Sequence, residues 1–339
     1  MEKLRGGIIG TGMMGRTHAK LATESGKVEI VAVFDAVFDR AETLAAQYHA
    51  KPFGDLDEML DYGVDIVYIA VPNNFHAPLT IRCLDRGVNV FCEKPLCTSL
   101  ADAAKLKEAV ERSGKRLFVG HNRRFAPVYL TAKQTIQQPD FKPTSVNIIQ
   151  NDGDMGGSVW AADFVNIGGF LYDTTVHFLD MAEYLVDEIC EVRALGMSAC
   201  YEGIDDDFVI QFRYKGGGHG AITSCGHASW ISPFERVQVV GDHRSVITEE
   251  LDSFRYCPGL SKTITAEGYE KLPFEVKWGY QPMHEHMYEC LEKGVPALND
   301  GISAGIRSVA LVEACYRSAA RYGEAIQVSE EEENHASIC

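Results

Sequence analysis

The chain has 339 residues, of which 46% are hydrophobic and 24% charged, and its formal net charge is −16. A chain of this length is too long to fold around one typical hydrophobic core, so we predict two domains. The composition is that of an ordinary soluble globular protein. The acidic balance argues against nucleic acid or an anionic membrane as a partner, because both need a basic surface. It still allows an anionic substrate, since a pocket can differ in charge from the rest of the surface.

The cysteines and the apolar segments indicate the cellular compartment of the protein. Ten cysteines lie at irregular intervals, and none forms a C-x-x-C pair. This usage is typical of reduced thiols and not of a disulfide framework or a zinc site. The N-terminus lacks a signal-peptide pattern, and no apolar run is long enough to cross a bilayer. We therefore expect a cytoplasmic protein.

The chain begins with a strand–turn–helix–strand pattern. An apolar strand over residues 4–9 runs into a G-x-G-x-x-G turn over 10–15, and a second strand ends in Asp35, twenty residues after the last glycine. Gly10 permits the tight turn, Gly12 leaves room for a pyrophosphate at the helix N-terminus, and the third glycine permits close helix–strand packing. The predicted cofactor residues here are Gly10, Thr11, Gly12, Met13, Met14, Gly15 and Asp35.

A glycine triplet alone can be an ordinary turn, but the order of strand, glycines, helix, strand and acid favours dinucleotide binding. A carboxylate at Asp35 would hold the adenosine ribose hydroxyls and repel a 2′-phosphate, so NAD is predicted over NADP. Strand patterns at 65–71, 88–92 and 116–120 alternate with helix patterns, which predicts a parallel sheet with helices on both faces. We assign residues 1–121 to this Rossmann domain.

Polar residues follow two of these strands, at the edge where an open α/β sheet binds its ligand. The segment 71–76 could reach the cofactor ribose or nicotinamide, or could be a turn with a capping Asn. Glu93 and Lys94 end the next strand, where the lysine could polarise a substrate hydroxyl or carry a proton; the alternative is a surface ion pair. The further predicted cofactor residues are Val71, Pro72, Asn73, Asn74, His76, Glu93 and Lys94.

Residues 120–125 lie at the predicted domain junction, where small-molecule sites tend to form. Asn122 and Arg123 are candidate substrate contacts there, and the alternative is two structural arginines, Arg123 and Arg124.

The pattern then changes to successive β-rich runs, which predicts an antiparallel sheet. We assign 122–329 to a second domain of α+β type, although its last helix could pack on the first, and 330–339 to a frayed acidic tail. The overall fold class is α/β.

One helix pattern in the second domain, 169–186, carries a candidate acid–base pair. Asp173 and His177 lie at i and i+4, on one face, and a histidine beside a carboxylate suits proton transfer. The alternative is a solvent-facing polar stripe that Asp180 and Tyr184 extend. No metal is predicted, because the Asp173–His177 pair has no clear third ligand. His284 and His286 also make a poor metal site, since they are two positions apart on a predicted helix and face different ways.

Five of these features together resemble the glucose-fructose oxidoreductase/inositol dehydrogenase/MocA (Gfo/Idh/MocA) family: the glycine turn, P-N-x-x-H, Glu-Lys-Pro, N-R-R-F and G-x3-D-x3-H. The resemblance implies a Rossmann domain plus a C-terminal domain with a large open sheet, through which members often form dimers or tetramers. It also implies that Lys94 is the catalytic lysine, that Asp173 and His177 are the Asp/His pair of inositol dehydrogenases, and that Arg123 is near the substrate.

Residues 150–168 show no match to the family motifs, and they are where members vary their sugar contacts. The substrate candidates are Lys94, Asn122, Arg123, Asn151, Asp152, Trp160, Asp173 and His177.

The predicted function is NAD-dependent oxidation of a ring hydroxyl of a cyclic polyol or sugar. Alternatives are a dehydrogenase for a sugar phosphate, nucleotide-sugar or dihydrodiol, and a non-catalytic NAD(P)-binding regulator, since this fold also occurs in a transcriptional corepressor.

Overall fold

The computed structural model describes residues 3–153, 167–260, 263–296 and 301–330. The chain forms two compact units, Met1–Gly120 with Met283–Ile306, and His121–Pro282 with Arg307–Cys339. The segment Met283–Ile306 thus packs with the first unit, whereas the sequence analysis assigned 122–329 as a whole to the second domain. An amphipathic helix pattern shows that one face is buried, but not against which unit.

The first unit contains a six-stranded parallel sheet with the strand order β3-β2-β1-β4-β5-β6. This is the Rossmann order, whose strand order reverses between β1 and β4. Its elements are β1 (Leu4–Ile9), α1 (Met13–Glu24), β2 (Val28–Phe34), α2 (Phe38–Tyr48), β3 (Lys51–Phe53), α3 (Leu56–Asp61), β4 (Ile66–Ile69), α4 (His76–Asp85), β5 (Asn89–Cys92), α5 (Leu100–Ser113) and β6 (Leu117–Val119).

Local sequence signals explain some of these bounds. The Ser99 hydroxyl caps α5 by accepting a hydrogen bond from the Asp102 N–H at 3.1 Å, and Gly114 ends the helix in the left-handed conformation. The β4 and β5 side chains are almost all buried, as expected of strands covered on both faces. The sequence analysis missed β3, which is only three residues long and contains Pro52.

The second unit contains a nine-stranded sheet with the order β14-β13-β12-β11-β7-β10-β9-β8-β15. Its β7–β10 pair is parallel, and its other neighbouring pairs are antiparallel. The remaining elements of the chain are α6 (Pro127–Ile136), β7 (Ser145–Asn151), a π-helical turn (Leu171–Thr175), α7 (Val176–Leu185), β8 (Ile189–Met197), β9 (Asp207–Tyr214), β10 (His219–Cys225), β11 (Glu235–Gly241), β12 (Arg244–Glu249), β13 (Ser253–Cys257), β14 (Thr265–Gly268), α8 (Phe274–Lys277), α9 (Tyr280–Lys293), α10 (Gly301–Ala320) and β15 (Ile326–Gln327).

One face of the large sheet is buried and the other is open. Along β9, Phe208, Ile210 and Phe212 are buried, while the residues between them are exposed. The open face carries Leu195 and Met197, each 57% exposed. The predicted fold class, a Rossmann domain plus a mainly antiparallel second sheet, is confirmed. In the part of the chain that the structure describes, no helix is both long and apolar enough to span a bilayer.

Candidate active site

The glycine turn between β1 and α1 has the shape that a dinucleotide needs. A Cβ at Gly10 (φ +90°) would overlap the Ala70 carbonyl oxygen, and one at Gly15 would overlap the Gly10 carbonyl oxygen, so close packing requires both glycines. At Gly12, by contrast, no heavy atom lies within 4 Å of the Cβ position. Gly12 is the N-cap of α1, and among the described residues no side chain caps this helix and no acid occupies its first turn. The N–H groups and the helix dipole at this turn therefore suit a pyrophosphate.

Asp35 lies next to this turn, at the end of β2. Its Oδ2 accepts hydrogen bonds from the Thr11 N–H at 2.9 Å and the Thr11 hydroxyl at 2.8 Å, and its Oδ1 accepts one from the Val37 N–H at 2.9 Å. Each carboxylate oxygen can accept more than one hydrogen bond, so the half-buried group keeps capacity for ribose hydroxyls. Of the other predicted turn residues, Met13 is 74% exposed and Met14 is half-buried.

The segment after β4 combines an exposed edge with a buried histidine. Pro72 and Asn74 are exposed, Val71 is half-buried and Asn73 is buried. The His76 ring is 1% exposed, with Nδ1 2.6 Å from the Pro95 carbonyl oxygen and Nε2 2.9 Å from that of Val71. Burial lowers the pKa of His76, against the effect of the two carbonyls, which favour the protonated ring. His76 thus links two turns at the ligand edge of the sheet.

Glu93 and Lys94 differ in their surroundings. Glu93 is 7% exposed, with Oε1 2.8 Å from His18 Nε2, while Oε2 accepts the Lys94 N–H at 3.0 Å. Burial acts to raise the pKa of Glu93, but the hydrogen bond and charge of His18 outweigh it, with help from Lys94, and lower the pKa. The Lys94 side chain is half-buried, and the Lys94–Pro95 peptide is cis. The alternative of a surface Glu–Lys pair is wrong, because Glu93 is buried.

Asn122 and Arg123 are bound inside the second unit. Arg123 is 4% exposed, its Nη2 lies 3.0 Å from Glu235 Oε2, and its guanidinium lies 4.4 Å from the centre of the Trp278 ring. Burial acts to lower the pKa of Arg123, but Glu235 outweighs it and raises the pKa. The Asn122 amide donates to the Trp278 carbonyl at 2.8 Å. Arg124 pairs with Asp180 at 2.7 Å, so both arginines have structural ion-pair partners.

Asp173 and His177 lie where the π-helical turn passes into α7. Such turns are rare in proteins, and those that occur are often found at functional sites. Asp173 is 8% exposed and His177 is half-buried, and the two residues lie four positions apart in the chain. The alternative of a solvent-facing stripe is wrong, because Asp180 is 3% exposed and seven of the ten α7 residues are buried.

Two hydrogen bonds join the π-helical turn to other elements of the second unit. The Leu171 N–H donates to the Tyr316 hydroxyl at 3.0 Å, and the Thr175 and Ser224 hydroxyls are 2.8 Å apart.

The last substrate candidates lie at the end of β7. The Asn151 amide donates to the Pro233 carbonyl at 2.8 Å, and its oxygen accepts the Cys225 thiol at 3.2 Å. Asp152 is 7% exposed, and its backbone pairs with Cys225 and Ala228. Trp160 lies outside the described residues.

Each unit therefore collects its own set of candidates. The glycine turn, Asp35, the segment 71–76 and Lys94 all lie at the carboxyl ends of parallel strands in the first unit. Sequence reasoning missed His18 as the partner of Glu93, since a histidine within a helix carries no signal for a residue 75 positions away. Within residues 3–153, 167–260, 263–296 and 301–330, no three His, Cys, Asp or Glu side chains group as metal ligands.

Two family models match the chain. Residues 4–121 match the Gfo/Idh/MocA model described as an oxidoreductase family with an NAD-binding Rossmann fold, and 144–325 match the C-terminal alpha/beta domain of the same family. The chain belongs to the Gfo/Idh/MocA oxidoreductase family. The predictions of family, of a nicotinamide-dependent oxidoreductase of the CH–OH class and of an NAD-binding Rossmann fold are confirmed.

Named relatives of this family member include two inositol dehydrogenases. An inositol 2-dehydrogenase from Rhizobium meliloti (strain 1021) is 28% identical, covering 94% of this chain and 97% of its own. A scyllo-inositol 2-dehydrogenase (NAD(+)) from Bacillus subtilis (strain 168) is 26% identical, covering 90% and 91%. A levoglucosan dehydrogenase solved with NADH and levoglucosan has a TM-score of 0.89, covers 97% of this chain and 100% of its own, and at 19% identity shows the same fold.

Proposed function

We propose that this Gfo/Idh/MocA protein is an NAD-dependent dehydrogenase that oxidises one ring hydroxyl of a cyclic polyol or sugar to a ketone. The observation that carries the proposal is the half-buried Lys94 at the carboxyl end of β5, whose backbone N–H is held by the buried Glu93 carboxylate. Two relatives named as inositol dehydrogenases, which align over most of their length, support the substrate class.

The glycine turn and Asp35 would hold the cofactor. The chemistry that NAD would supply when bound is acceptance of the hydride from the carbon that carries the reacting hydroxyl. The carboxylate of Asp35, already oriented by Thr11 and Val37, favours ribose hydroxyls over a 2′-phosphate, which supports NAD over NADP.

The chain's own residues perform the proton chemistry in this proposal. Lys94 hydrogen-bonds the hydroxyl oxygen and so stabilises the negative charge that develops on it. His177 removes the hydroxyl proton, and Asp173, on the same helix face, orients the imidazole. The candidates for binding the rest of the substrate are Asn122, Arg123, Asn151 and Asp152. Each of them also makes the contacts with the protein that are described above.

A substrate panel tests the proposed class. Inositols, glucose and their phosphates, each with NAD and with NADP, would be followed by nicotinamide absorbance. We expect turnover of at least one unphosphorylated ring polyol, with NAD preferred. Turnover of phosphorylated or nucleotide-linked sugars only would move the proposal to that substrate class, and NAD binding without turnover of any compound would favour a regulator.

Replacing the lysine tests the mechanism. Lys94→Ala should lower kcat about 10²–10⁴-fold, the usual contribution of a positioned acid–base group, while NAD still binds. Isothermal calorimetry would measure NAD binding, and Lys107→Ala, which removes an exposed lysine from α5 of the same unit, is the matched control. Wild-type turnover by Lys94→Ala would disprove the role of this lysine.

We also propose a homodimer or homotetramer formed through the open face of the large sheet, and a cytoplasmic location. Exposed Leu195 and Met197 support the first proposal. Nine free cysteines in the described residues support the second.

A further inference from the structure

A chain of buried polar side chains runs through the first unit and ends on the carboxylate that holds Lys94. His18 Nε2 lies 2.8 Å from Glu93 Oε1, and His18 Nδ1 lies 2.9 Å from His284 Nε2. His284 Nδ1 is 3.1 Å from the Tyr288 hydroxyl, which is 2.8 Å from that of Tyr68. The two histidines are at most 1% exposed and the two tyrosines at most 2%.

The rings of His18, His284 and Tyr68 lie nearly parallel and close together, which limits their rotation. The His18 and His284 rings are 12° from parallel with centroids 5.1 Å apart, and the Tyr68 ring lies 7° from the plane of His284 at 5.4 Å. Phe91 of β5 packs against His18 at 4.7 Å. The imidazoles therefore have fixed edges that face fixed partners.

The hydrogen bond at the carboxylate end of the chain has a fixed direction. An ionised carboxylate only accepts, so the His18 Nε2–H donates to Glu93 Oε1. Burial, followed by the proximity of His18, holds the pKa of His284 well below its ordinary value, which is consistent with a neutral ring that carries one N–H.

We propose that His18 and His284 are positioning residues that fix the orientation of Lys94 through Glu93. This inference rests on the proposed function only in taking Lys94 as catalytic. The two oxygens of Glu93 bind different groups, since Oε1 accepts a hydrogen bond from His18 and Oε2 accepts one from the Lys94 N–H. The carboxylate cannot rotate without losing both bonds.

Two features beside Glu93 support a role for the chain in placing this turn. A Cβ at Gly120 would lie 2.8 Å from Glu93 Oε2, so the glycine leaves room for the carboxylate in this orientation. On the other side of the turn, His76 Nδ1 lies 2.6 Å from the Pro95 carbonyl oxygen. Buried side chains thus hold the peptide groups on both sides of the half-buried lysine, and a polar chain of this kind has a high desolvation cost unless every member is satisfied.

The test compares His18→Leu, which removes the donor to Glu93, with His18→Gln, whose amide can replace it. Amide exchange of the segment 91–97 would be measured by mass spectrometry, and kcat and KM by turnover of myo-inositol with NAD. For His18→Leu we expect faster exchange at Lys94 and a kcat lower by about 10–10²-fold, as a displaced catalytic group gives, with the KM for NAD nearly unchanged. His18→Gln should restore most of both, and His284→Leu should show the same defect in weaker form.

Leu44→Ala, in the core of α2, is the control for lost stability, since it leaves a cavity in the same unit without touching this chain. It should lower the urea midpoint yet keep kcat and the exchange of 91–97. Unchanged exchange in His18→Leu would overturn the proposal whatever the activity, as would faster exchange with wild-type kcat. If instead Lys94→Ala is fully active or no ring polyol or sugar of the panel is turned over, the proposed function fails, and the exchange of His18→Leu against His18→Gln still decides whether the histidines hold the turn.

Discussion

At the scale of single residues, burial separates two kinds of predicted site residue. His76, Glu93 and Arg123 were selected as polar groups at strand ends or at the domain junction, and all three are buried with protein partners. A buried polar group without a partner is costly, so each of these residues also holds backbone or another side chain. Lys94 and Asn74 keep exposed surface and can meet a ligand. Residue type in a motif does not distinguish these roles.

Asp35 is the residue with which to test cofactor choice. Asp35→Asn keeps the shape of the side chain and an acceptor for Thr11 but removes the charge. The ribose hydroxyls would then bind a neutral amide instead of a carboxylate. We expect NAD binding to weaken about tenfold or more and the ratio of NADP to NAD binding to rise. Asp39→Asn, an exposed acid of α2, should change neither affinity. Equal affinities in Asp35→Asn and wild type would remove the basis for NAD selectivity.

His284 makes a prediction for the pH dependence of stability. Its pKa is far below the ordinary 6.5 in the folded chain, so below about pH 6.5 the unfolded chain binds a proton that the folded chain does not. The free energy of unfolding should therefore fall as the pH drops, by at most about 1.4 kcal/mol per pH unit for this group.

Urea denaturation at pH 7.5 and pH 5.5 would measure this loss. In His284→Gln the loss should be smaller than in wild type, because glutamine does not titrate. His286→Gln, two residues along the same helix and half-buried, should reduce the loss less. A wild-type loss in His284→Gln would show that other groups control acid sensitivity.

At the scale of elements, the π-helical turn is the feature that the helix pattern concealed. The spacing of apolar residues predicted one helix over 169–186, and the structure has a π turn followed by α7. A single extra residue per turn hardly alters the apolar pattern, so periodicity does not reveal it. The caps of α5, in contrast, follow from Ser99 and Gly114 directly, since capping depends on immediate neighbours.

Gly169→Ala tests how this turn is held. At φ +96° an alanine is strained, and its Cβ would overlap the Tyr316 hydroxyl, so we expect a loss of about 1–3 kcal/mol in stability and a fall in kcat. Gly203→Ala is the matched control, because φ is +79° but no atom lies within 4 Å of its Cβ position. Urea midpoints of both variants would separate backbone strain from steric overlap. Equal losses in the two variants would argue against a role for the Tyr316 contact.

At the scale of the whole molecule, the open sheet face predicts self-association. Leu195 pairs in register with Val209, and both are exposed on this face. Leu195→Arg would bury a charge in the proposed interface and should weaken assembly at least about tenfold. Sedimentation velocity would measure the change, with Leu260→Arg, at another exposed apolar residue, as control. Wild-type assembly by Leu195→Arg would exclude this part of the face.

The sequence by itself determined the Rossmann beginning, the capped α5, most strands of the first sheet, the β-rich second domain and the family, because these follow from neighbouring residues or from ordered motifs. Only the tertiary structure decided that Met283–Ile306 packs with the first unit, where β13 and β14 add to the large sheet, and which polar residues are buried. The same holds for the contact between His18 and His284, which lie 266 positions apart. Such contacts depend on how distant segments pack, and local patterns record that a face is buried without recording its partner.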